Sequence, residues 1–132
     1  MTDNEREHPF ADLIGLSVDI GKPGEASALL TLKESHRNPH GVAHGAVIYA
    51  MADTAMGAAL HSTLPAESAC ATLEIKITYC RPVFEGEVTC TATLDHKGKR
   101  FGHISSRIEC GGKLIALATG NFAILEAPPE KR

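Results

Sequence analysis

The sequence lacks a surplus of positive charge, and it lacks an apolar run long enough to cross a membrane. Its 132 residues carry 13 Lys and Arg against 16 Asp and Glu, a formal net charge of -3. We therefore do not expect a nucleic acid or an anionic membrane surface as a partner. A spanning helix needs roughly 20 apolar residues, and no run in the chain reaches that length.

The sequence also lacks any CxxC pair and any recognisable signal peptide. The four cysteines are Cys70, Cys80, Cys90 and Cys110, and the first eight residues are polar and acidic. Both features predict a cytoplasmic location, where thiols stay reduced. We expect four buried, reduced thiols rather than disulfides or a zinc site.

The length predicts one domain over residues 1–132, with a core from about residue 9 to residue 125 and a polar tail at each end. Apolar periodicity predicts a helical turn, a hairpin, one long helix and four more strands. The helical turn covers 9–15, the two strands of the hairpin 16–20 and 26–33, and the long helix 45–60. The four later strands cover 69–79, 88–95, 101–110 and 113–125. Short turns between strands favour an antiparallel sheet. The predicted fold is α+β, a curved antiparallel sheet wrapped around one central helix.

The strand at 69–79 has a regular alternation. The apolar series Ala69, Ala71, Leu73, Ile75, Ile77 and Tyr79 alternates with Cys70, Thr72, Glu74, Lys76 and Thr78. A period of two predicts one apolar and one polar face along the whole strand.

One charged residue, Asp53, interrupts the apolar helix at 45–60. A helix that is apolar on nearly every side is a buried helix, so the pattern predicts a buried carboxylate. Such burial costs several kcal/mol unless the group is paired or changes its protonation. Asp53 is therefore the first candidate for an acid, base or nucleophile.

Three histidines, His36, His40 and His44, recur every four residues before this helix. On a helix they would share one face and could bind a metal, but Pro39 and Gly41 disfavour a helix there. We therefore predict no metal site, and we expect His36 and His40 to occupy solvated loop positions.

The pair His44-Gly45 lies where the long helix is predicted to begin. Free backbone N–H groups and the positive end of the helix dipole can stabilise an oxyanion developing on a carbonyl. The alternative is that Gly45 allows a tight entry and His44 only caps the helix.

Asp53 follows His44 by nine residues, which is about 13 Å along one helix. One small reacting group cannot lie within hydrogen-bond reach of both. If both residues serve one site, they come from different copies of the chain, which predicts a homodimer with two composite sites.

The stretches NPHGVAHGA at 38–46 and ADTA at 52–55 resemble the hotdog-fold acyl-CoA thioesterases. The most similar group is the PaaI-like group of phenylacetic acid degradation. In that group an Asn precedes a His-Gly-Gly motif by six residues, and an Asp follows its His by nine. Asn38, His44 and Asp53 match both spacings, and the resemblance covers about residues 9–125.

The resemblance implies a role for each matching residue. Gly45 N–H would polarise the thioester carbonyl, and Asp53 of a second subunit would be the nucleophile or the base that activates water. Asn38 and His44 would position the thioester or the water, and Thr72 would help to hold that water. The substrate would be an aromatic or a short- or medium-chain acyl-CoA.

The resemblance also implies contacts to the rest of the substrate. Lys97, Lys99 and Arg100 lie where phosphates of coenzyme A commonly bind, although such a cluster is more often a solvated hairpin tip. Ala46 replaces the second glycine of the motif, and its methyl group would narrow the approach. Coenzyme A is part of the substrate, so no cofactor is expected, and dimers of this fold often pair into tetramers.

Two other functions remain open from the residues. Asn38-Pro39-His40 superficially resembles the motif of hotdog enoyl-CoA hydratases, but the upstream acid is Glu34 rather than an Asp a few residues before Asn38. A non-catalytic acyl-CoA-binding protein is the other alternative, although regulators of this kind usually carry a DNA-binding domain.

Overall fold

The computed structural model describes residues 7–126. Most of the predicted N-terminal tail and all of the C-terminal tail, residues 1–6 and 127–132, lie outside the described residues. The elements are α1 (Pro9–Ile14), β1 (Ser17–Ile20), β2 (Glu25–Thr31), a 3-10 turn (Glu34–His36), α2 (Gly45–His61), β3 (Ala69–Tyr79), β4 (Glu87–Lys97), β5 (Phe101–Cys110) and β6 (Lys113–Leu125). The predicted element order is confirmed, with small changes at the ends of α2, β1, β2 and β4.

The six strands form one antiparallel sheet in the order β1-β2-β4-β5-β6-β3. Helix α2 packs against one face of this sheet, which confirms the predicted α+β fold. Within residues 7–126 strand β3 pairs with β6 alone, so it forms an edge of the sheet, and it lies beside the helix. No helix within residues 7–126 is both long enough and apolar enough to span a membrane.

The core lies between α2 and the inner face of the sheet. Met51 and Met56 of the helix are fully buried, as expected of residues that fill irregular gaps. The sheet contributes large buried side chains at Leu30, Val88, Ile104, Ile108 and Phe122. Gly57 brings α2 close to the sheet, because a Cβ there would lie 3.4 Å from the Phe122 ring.

The alternation predicted for β3 is wrong in its first half. A β-bulge at Leu73 places two residues of β3 opposite Asn121 of β6. Cys70 and Thr72 consequently contact α2, whereas Leu73 is 62% exposed. After the bulge the phase reverses, and Ile75 and Ile77 pack against the core. A bulge changes which face each side chain occupies, and no period-two pattern reveals it.

The expectation of a solvated His36 is also wrong, because its side chain is only 3% exposed. Its Nδ1 accepts a hydrogen bond from Lys33 N–H at 2.9 Å, and its Nε2 donates to the Ile14 carbonyl at 2.7 Å. Both ring nitrogens are satisfied, which accounts for the burial of a polar ring. His36 thus fastens the loop that precedes α2 to the end of α1.

The cysteines differ from one another more than predicted. None is in a disulfide, but only Cys90 is buried, and Cys80 is exposed. Burial raises the pKa of the Cys90 thiol to about 12, even though Ser106 partly offsets this effect. A thiol with such a pKa stays protonated and is a poor nucleophile near neutral pH.

Candidate active site

Helix α2 begins at a cap made by His44. The Nδ1 atom of His44 accepts the Ala46 N–H at 2.9 Å, and the His44 carbonyl accepts the Val47 N–H at 2.9 Å. The His44 N–H donates to the His36 carbonyl at 2.8 Å, so the cap is tied to a buried residue of the preceding loop. Because Nδ1 accepts, the proton of a neutral His44 ring lies on Nε2, which is then a donor at the exposed helix start with no acceptor in the described part of the chain.

These caps leave the Gly45 N–H as the available donor of the first turn. Within residues 7–126 no atom accepts a hydrogen bond from it, whereas Ala46 and Val47 are both engaged. The positive end of the helix dipole adds to its attraction for negative charge. The resemblance assigned the carbonyl contact to this same group, and the geometry leaves it free to make one.

Tyr79, the last residue of β3, stands against this helix start. Its hydroxyl donates to the Gly45 carbonyl at 2.8 Å. A Cβ on Gly45 would lie 3.2 Å from that hydroxyl oxygen, so the glycine permits the close approach of the tyrosine. Desolvation and the neighbouring Tyr49 both raise the pKa of Tyr79, which keeps its hydroxyl a donor.

A cleft of about 340 Å³ opens beside Gly45. It is lined by Ala43, Gly45, Ile48, Ile115 and the segment 79–83 that follows β3. Most of these side chains are apolar, but Arg81 adds a positive charge. Neither Tyr79 nor Arg81 is among the site residues predicted from the sequence. Their place beside Gly45 depends on β3 running back along α2, which the local pattern does not show.

Asp53 lies two turns further along α2, and its carboxylate is not fully buried, contrary to the prediction. It is partly exposed, and its Oδ1 accepts a hydrogen bond from Thr72 Oγ1 at 2.7 Å. A short bond from a hydroxyl to a carboxylate is a strong, charge-assisted contact. The structure therefore brings Asp53 and Thr72 together directly.

Asp53 and Thr72 line a second cleft of about 240 Å³, together with His61, Cys70 and others. Gly45 is absent from its lining, and Asp53 is absent from the lining of the first cleft. Eight residues of continuous helix, about 12 Å, separate the two positions. Within one chain, the free N–H and the carboxylate therefore belong to different surfaces.

Asn38 organises the loop ahead of α2. Its Oδ1 accepts hydrogen bonds from the N–H groups of His40 at 2.9 Å and Val42 at 3.3 Å. This Asx-type turn uses the carbonyl end of the side chain and leaves Nδ2 without an acceptor among the described residues. Asn38 thus has a structural role, and both N–H groups of its Nδ2 have no acceptor among the described residues.

The three predicted phosphate contacts lie apart from Gly45, whereas Ala46 lies beside it. Lys97 Nζ donates to the Thr63 carbonyl at 3.1 Å, just beyond the far end of α2. Lys99 and Arg100 are exposed at the β4–β5 turn, and neither lines either cleft. Ala46 is exposed next to Gly45, so its methyl group borders the approach to the free N–H.

The three histidines before α2 have separate environments. His36 is buried, His40 is exposed and His44 caps the helix. Throughout residues 7–126, no group of three or more His, Cys, Asp or Glu side chains is arranged to hold a metal ion.

Comparison with known proteins identifies the family. Residues 40–116 match the family described as the Thioesterase superfamily. A conserved protein from Pseudomonas aeruginosa has a similar structure, with a TM-score of 0.87 and 34% identity over 90% of this chain and 95% of that one. A variant of the phenylacetic acid degradation protein PaaI from Thermus thermophilus has a TM-score of 0.81 and 31% identity, covering 88% and 98%.

A curated relative from Deinococcus radiodurans, which carries only the provisional name of esterase, is 30% identical over 86% of this chain and 77% of its own length. The matched family region includes the α2 start, Asp53 and Thr72, and the two solved structures superpose on about nine-tenths of this chain. The chain belongs to the thioesterase superfamily, has the hotdog fold and is a thioester hydrolase.

Proposed function

We propose that this protein is an acyl-CoA thioesterase whose active site combines the Gly45 cleft of one subunit with Asp53 and Thr72 of another. The observation that carries the proposal is the distance along α2 between the two groups that would act on the thioester. The free Gly45 N–H and the Thr72-bound Asp53 carboxylate are separated by about 12 Å and open into different clefts. A thioester carbonyl at one of them is out of reach of the other.

The position of β3 supports such a pairing. No strand of the described part of the chain pairs with its outer edge, and an unpaired edge is a template for another strand. A second copy added antiparallel along β3 would continue the sheet and lay the two α2 helices side by side in opposite directions. The start of each helix would then lie near the middle of the other. Further pairing of such dimers into tetramers is part of the proposal.

In the proposed reaction, the thioester carbonyl accepts the Gly45 N–H, and the partner's Asp53 lies on the other side of the carbonyl carbon. Asp53 takes a proton from a water molecule as the water oxygen attacks that carbon. The oxyanion that forms is stabilised by the Gly45 N–H and the helix dipole. Collapse of the intermediate expels the CoA thiolate, which takes the proton held by Asp53.

Direct attack by an Asp53 oxygen is the alternative route through the same contacts. It would form an acyl-aspartyl anhydride and release CoA before water enters. Thr72 holds Oδ1 in both routes, which leaves Oδ2 to react. Water is the only co-reactant in either, and the proposal includes no cofactor.

The helix start and its loop supply further donors. We assign the His44 Nε2–H and the Asn38 Nδ2 to positioning the thioester or the water, because their other polar atoms are committed to the backbone. Arg81 beside Gly45, and Lys97, Lys99 and Arg100 on the Asp53 side, are the cations assigned to the CoA phosphates. The apolar Gly45 cleft suits an aromatic or a short- or medium-chain acyl group.

Replacement of the carboxylate tests the proposal. Asp53→Asn should lower kcat for thiol release by about two to four orders of magnitude, because general-base catalysis contributes that much. The assay uses a panel of aromatic, short and medium acyl-CoAs. Asp12→Asn, an exposed helical aspartate on α1, is the matched control and should retain wild-type turnover.

Three outcomes of this assay would contradict the proposal. Full turnover by Asp53→Asn would exclude the mechanism. Tight binding of acyl-CoA without release of thiol by the wild type would favour a non-catalytic binding protein. Hydration of crotonyl-CoA without thiol release would favour a hydratase.

A further inference from the structure

The orientation of Thr72 depends on an irregularity in β3. Up to Thr72 the pairing with β6 is regular, with Thr72 opposite Phe122, and it resumes with Glu74 opposite Asn121. Leu73 is the extra residue. In an uninterrupted strand Thr72 and Glu74 would occupy one face, because successive side chains alternate. In the structure Thr72 points to α2, whereas Glu74 lies on the other face and bonds to Asn121.

A directed chain of hydrogen bonds holds the outer side of this bulge. Asn121 Nδ2 donates to Glu74 Oε1 at 2.9 Å. Since the amide nitrogen of Asn121 is the donor to Glu74, its Oδ1 is the acceptor for His103 Nδ1 at 2.8 Å. The chain crosses three adjacent strands, β5, β6 and β3. It fixes the first residue after the bulge to β6 and β5, whose pairing with each other is regular at Asn121 and His103.

Beside the bulge, Gly120 of β6 allows the two strands to approach closely. A Cβ on Gly120 would lie 3.0 Å from the Phe122 ring, 3.2 Å from Ile75 and 3.3 Å from the Glu74 carbonyl oxygen. A glycine inside a strand often marks a bulge or a close approach of backbone. Here it accommodates the strand at the point where the phase of β3 reverses.

We propose that Glu74, Asn121 and His103 form a positioning clamp that holds the β3 bulge and so keeps Thr72 directed at Asp53. None of the three contacts the reacting atoms. Their effect is indirect, because a slip of one residue moves every side chain of a strand segment to the opposite face. Without the clamp, the bulge can shift and Thr72 loses its bond to Asp53. This inference rests on the proposed function of Asp53.

A double-mutant cycle separates positioning from simple stabilisation. Thr72→Ala should lower kcat about tenfold, the effect of one hydrogen bond to a charged group. Glu74→Ala should lower kcat by about three- to tenfold in the wild-type background and should have no further effect when combined with Thr72→Ala. KM should change little in each variant, because the acyl-CoA contacts remain.

Two further variants complete the test. Glu74→Gln keeps an oxygen that accepts from Asn121 and should retain kcat within about twofold of the wild type. Glu109→Ala is the matched control, since Glu109 also carries an outer-face carboxylate in a short contact, with Arg107 at 2.7 Å. Glu109 lies beside a separate irregularity in the β5–β6 pairing, away from the β3 bulge. It should leave kcat unchanged.

The inference is overturned if Glu74→Ala lowers only the melting temperature while kcat of the folded protein is unchanged. It is equally overturned if the effects of Glu74→Ala and Thr72→Ala multiply independently. Should Glu74→Ala fail to fold, His103→Leu at the outer end of the clamp provides the same comparison. Asp53→Asn is measured in parallel, so that full activity there identifies a failure of the proposed function rather than of the clamp.

Discussion

The role of the Gly45 N–H can be tested by a substitution that removes the donor without removing the helix. Gly45 is the first residue of α2, and proline is well tolerated at this position because its missing N–H has no acceptor inside the helix. The preceding residue, His44, has φ -62° and ψ 134°, the extended backbone that a residue before proline prefers. Gly45→Pro therefore deletes one N–H at little cost to helix formation.

The side chain introduced by proline needs a control, because a Cβ at Gly45 lies 3.2 Å from the Tyr79 hydroxyl oxygen and 3.3 Å from Cζ of its ring. Gly45→Ala adds the same Cβ and keeps the N–H. Tyr79 is 50% exposed, so its ring can yield by a few tenths of an ångström. We expect Gly45→Ala to lose only about two- to fivefold in kcat, since off-optimum packing costs of order 1 kcal/mol.

The comparison of the two variants isolates the donor. Loss of one oxyanion-hole donor lowers kcat by about 10²–10³, or about 2.7–4 kcal/mol, so Gly45→Pro should be slower than Gly45→Ala by that factor. KM should be similar in the two variants, because the donor acts mainly on the transition state. Equal kcat values in two folded variants, checked by far-ultraviolet circular dichroism, would refute the assignment of Gly45 as the carbonyl donor.

Two further predictions concern charge and pH. Arg81→Ala should raise KM for acyl-CoA about tenfold, the worth of one charge-assisted contact, and steady-state kinetics should show a smaller rise for Lys99→Ala because Lys99 lines neither cleft. The pKa of Cys90 is raised to about 12, so the folded state keeps a proton that the unfolded state loses above its ordinary value near 9. The contribution of Cys90 to the free energy of unfolding is complete below about pH 9. It is lost as the pH rises toward 12, at about 1.4 kcal/mol per pH unit. Urea unfolding should show that Cys90→Ala flattens this alkaline loss whereas Cys80→Ala, at an exposed thiol, does not; equal slopes for both variants would contradict the assignment.

The regular elements were predictable because periodicity and turn chemistry agree along most of the chain. The bounds of β3, β5 and β6 match the expected segments, and Gly111 and Gly112, with φ of 58° and 78°, make the two-residue turn that joins β5 to β6. Helix α2 begins at Gly45 as expected and extends one residue further than predicted.

The errors lie where a tertiary contact decides the outcome. Thr72 was expected on a uniform polar face of β3, but the bulge at Leu73 directs it to Asp53. His36 was expected in solvent, but it is buried and donates a hydrogen bond to the carbonyl of Ile14, which lies 22 residues earlier. Neither partner is adjacent in sequence, so no local pattern contains the information.

The candidate site, too, was predictable from the sequence only in part. The spacing of His44 and Asp53 on one helix predicts that they act in different copies of the chain, and this stays a prediction. The apolar surroundings of Asp53 were misleading, however, because the composition of α2 does not reveal that Asp53 opens into a cleft and bonds to Thr72. The free state of the Gly45 N–H likewise depends on the cap geometry of His44, which spacing alone does not provide.

The most direct test of the composite site is complementation between two inactive variants. Asp53→Asn and Gly45→Pro chains, carrying different affinity tags, are co-expressed, and oligomers that hold both tags are isolated. In a mixed dimer one of the two interface sites combines an intact Gly45 with an intact Asp53, so we predict about half of the wild-type kcat per dimer. Mixed oligomers that are as inactive as their parents would contradict a site shared between subunits.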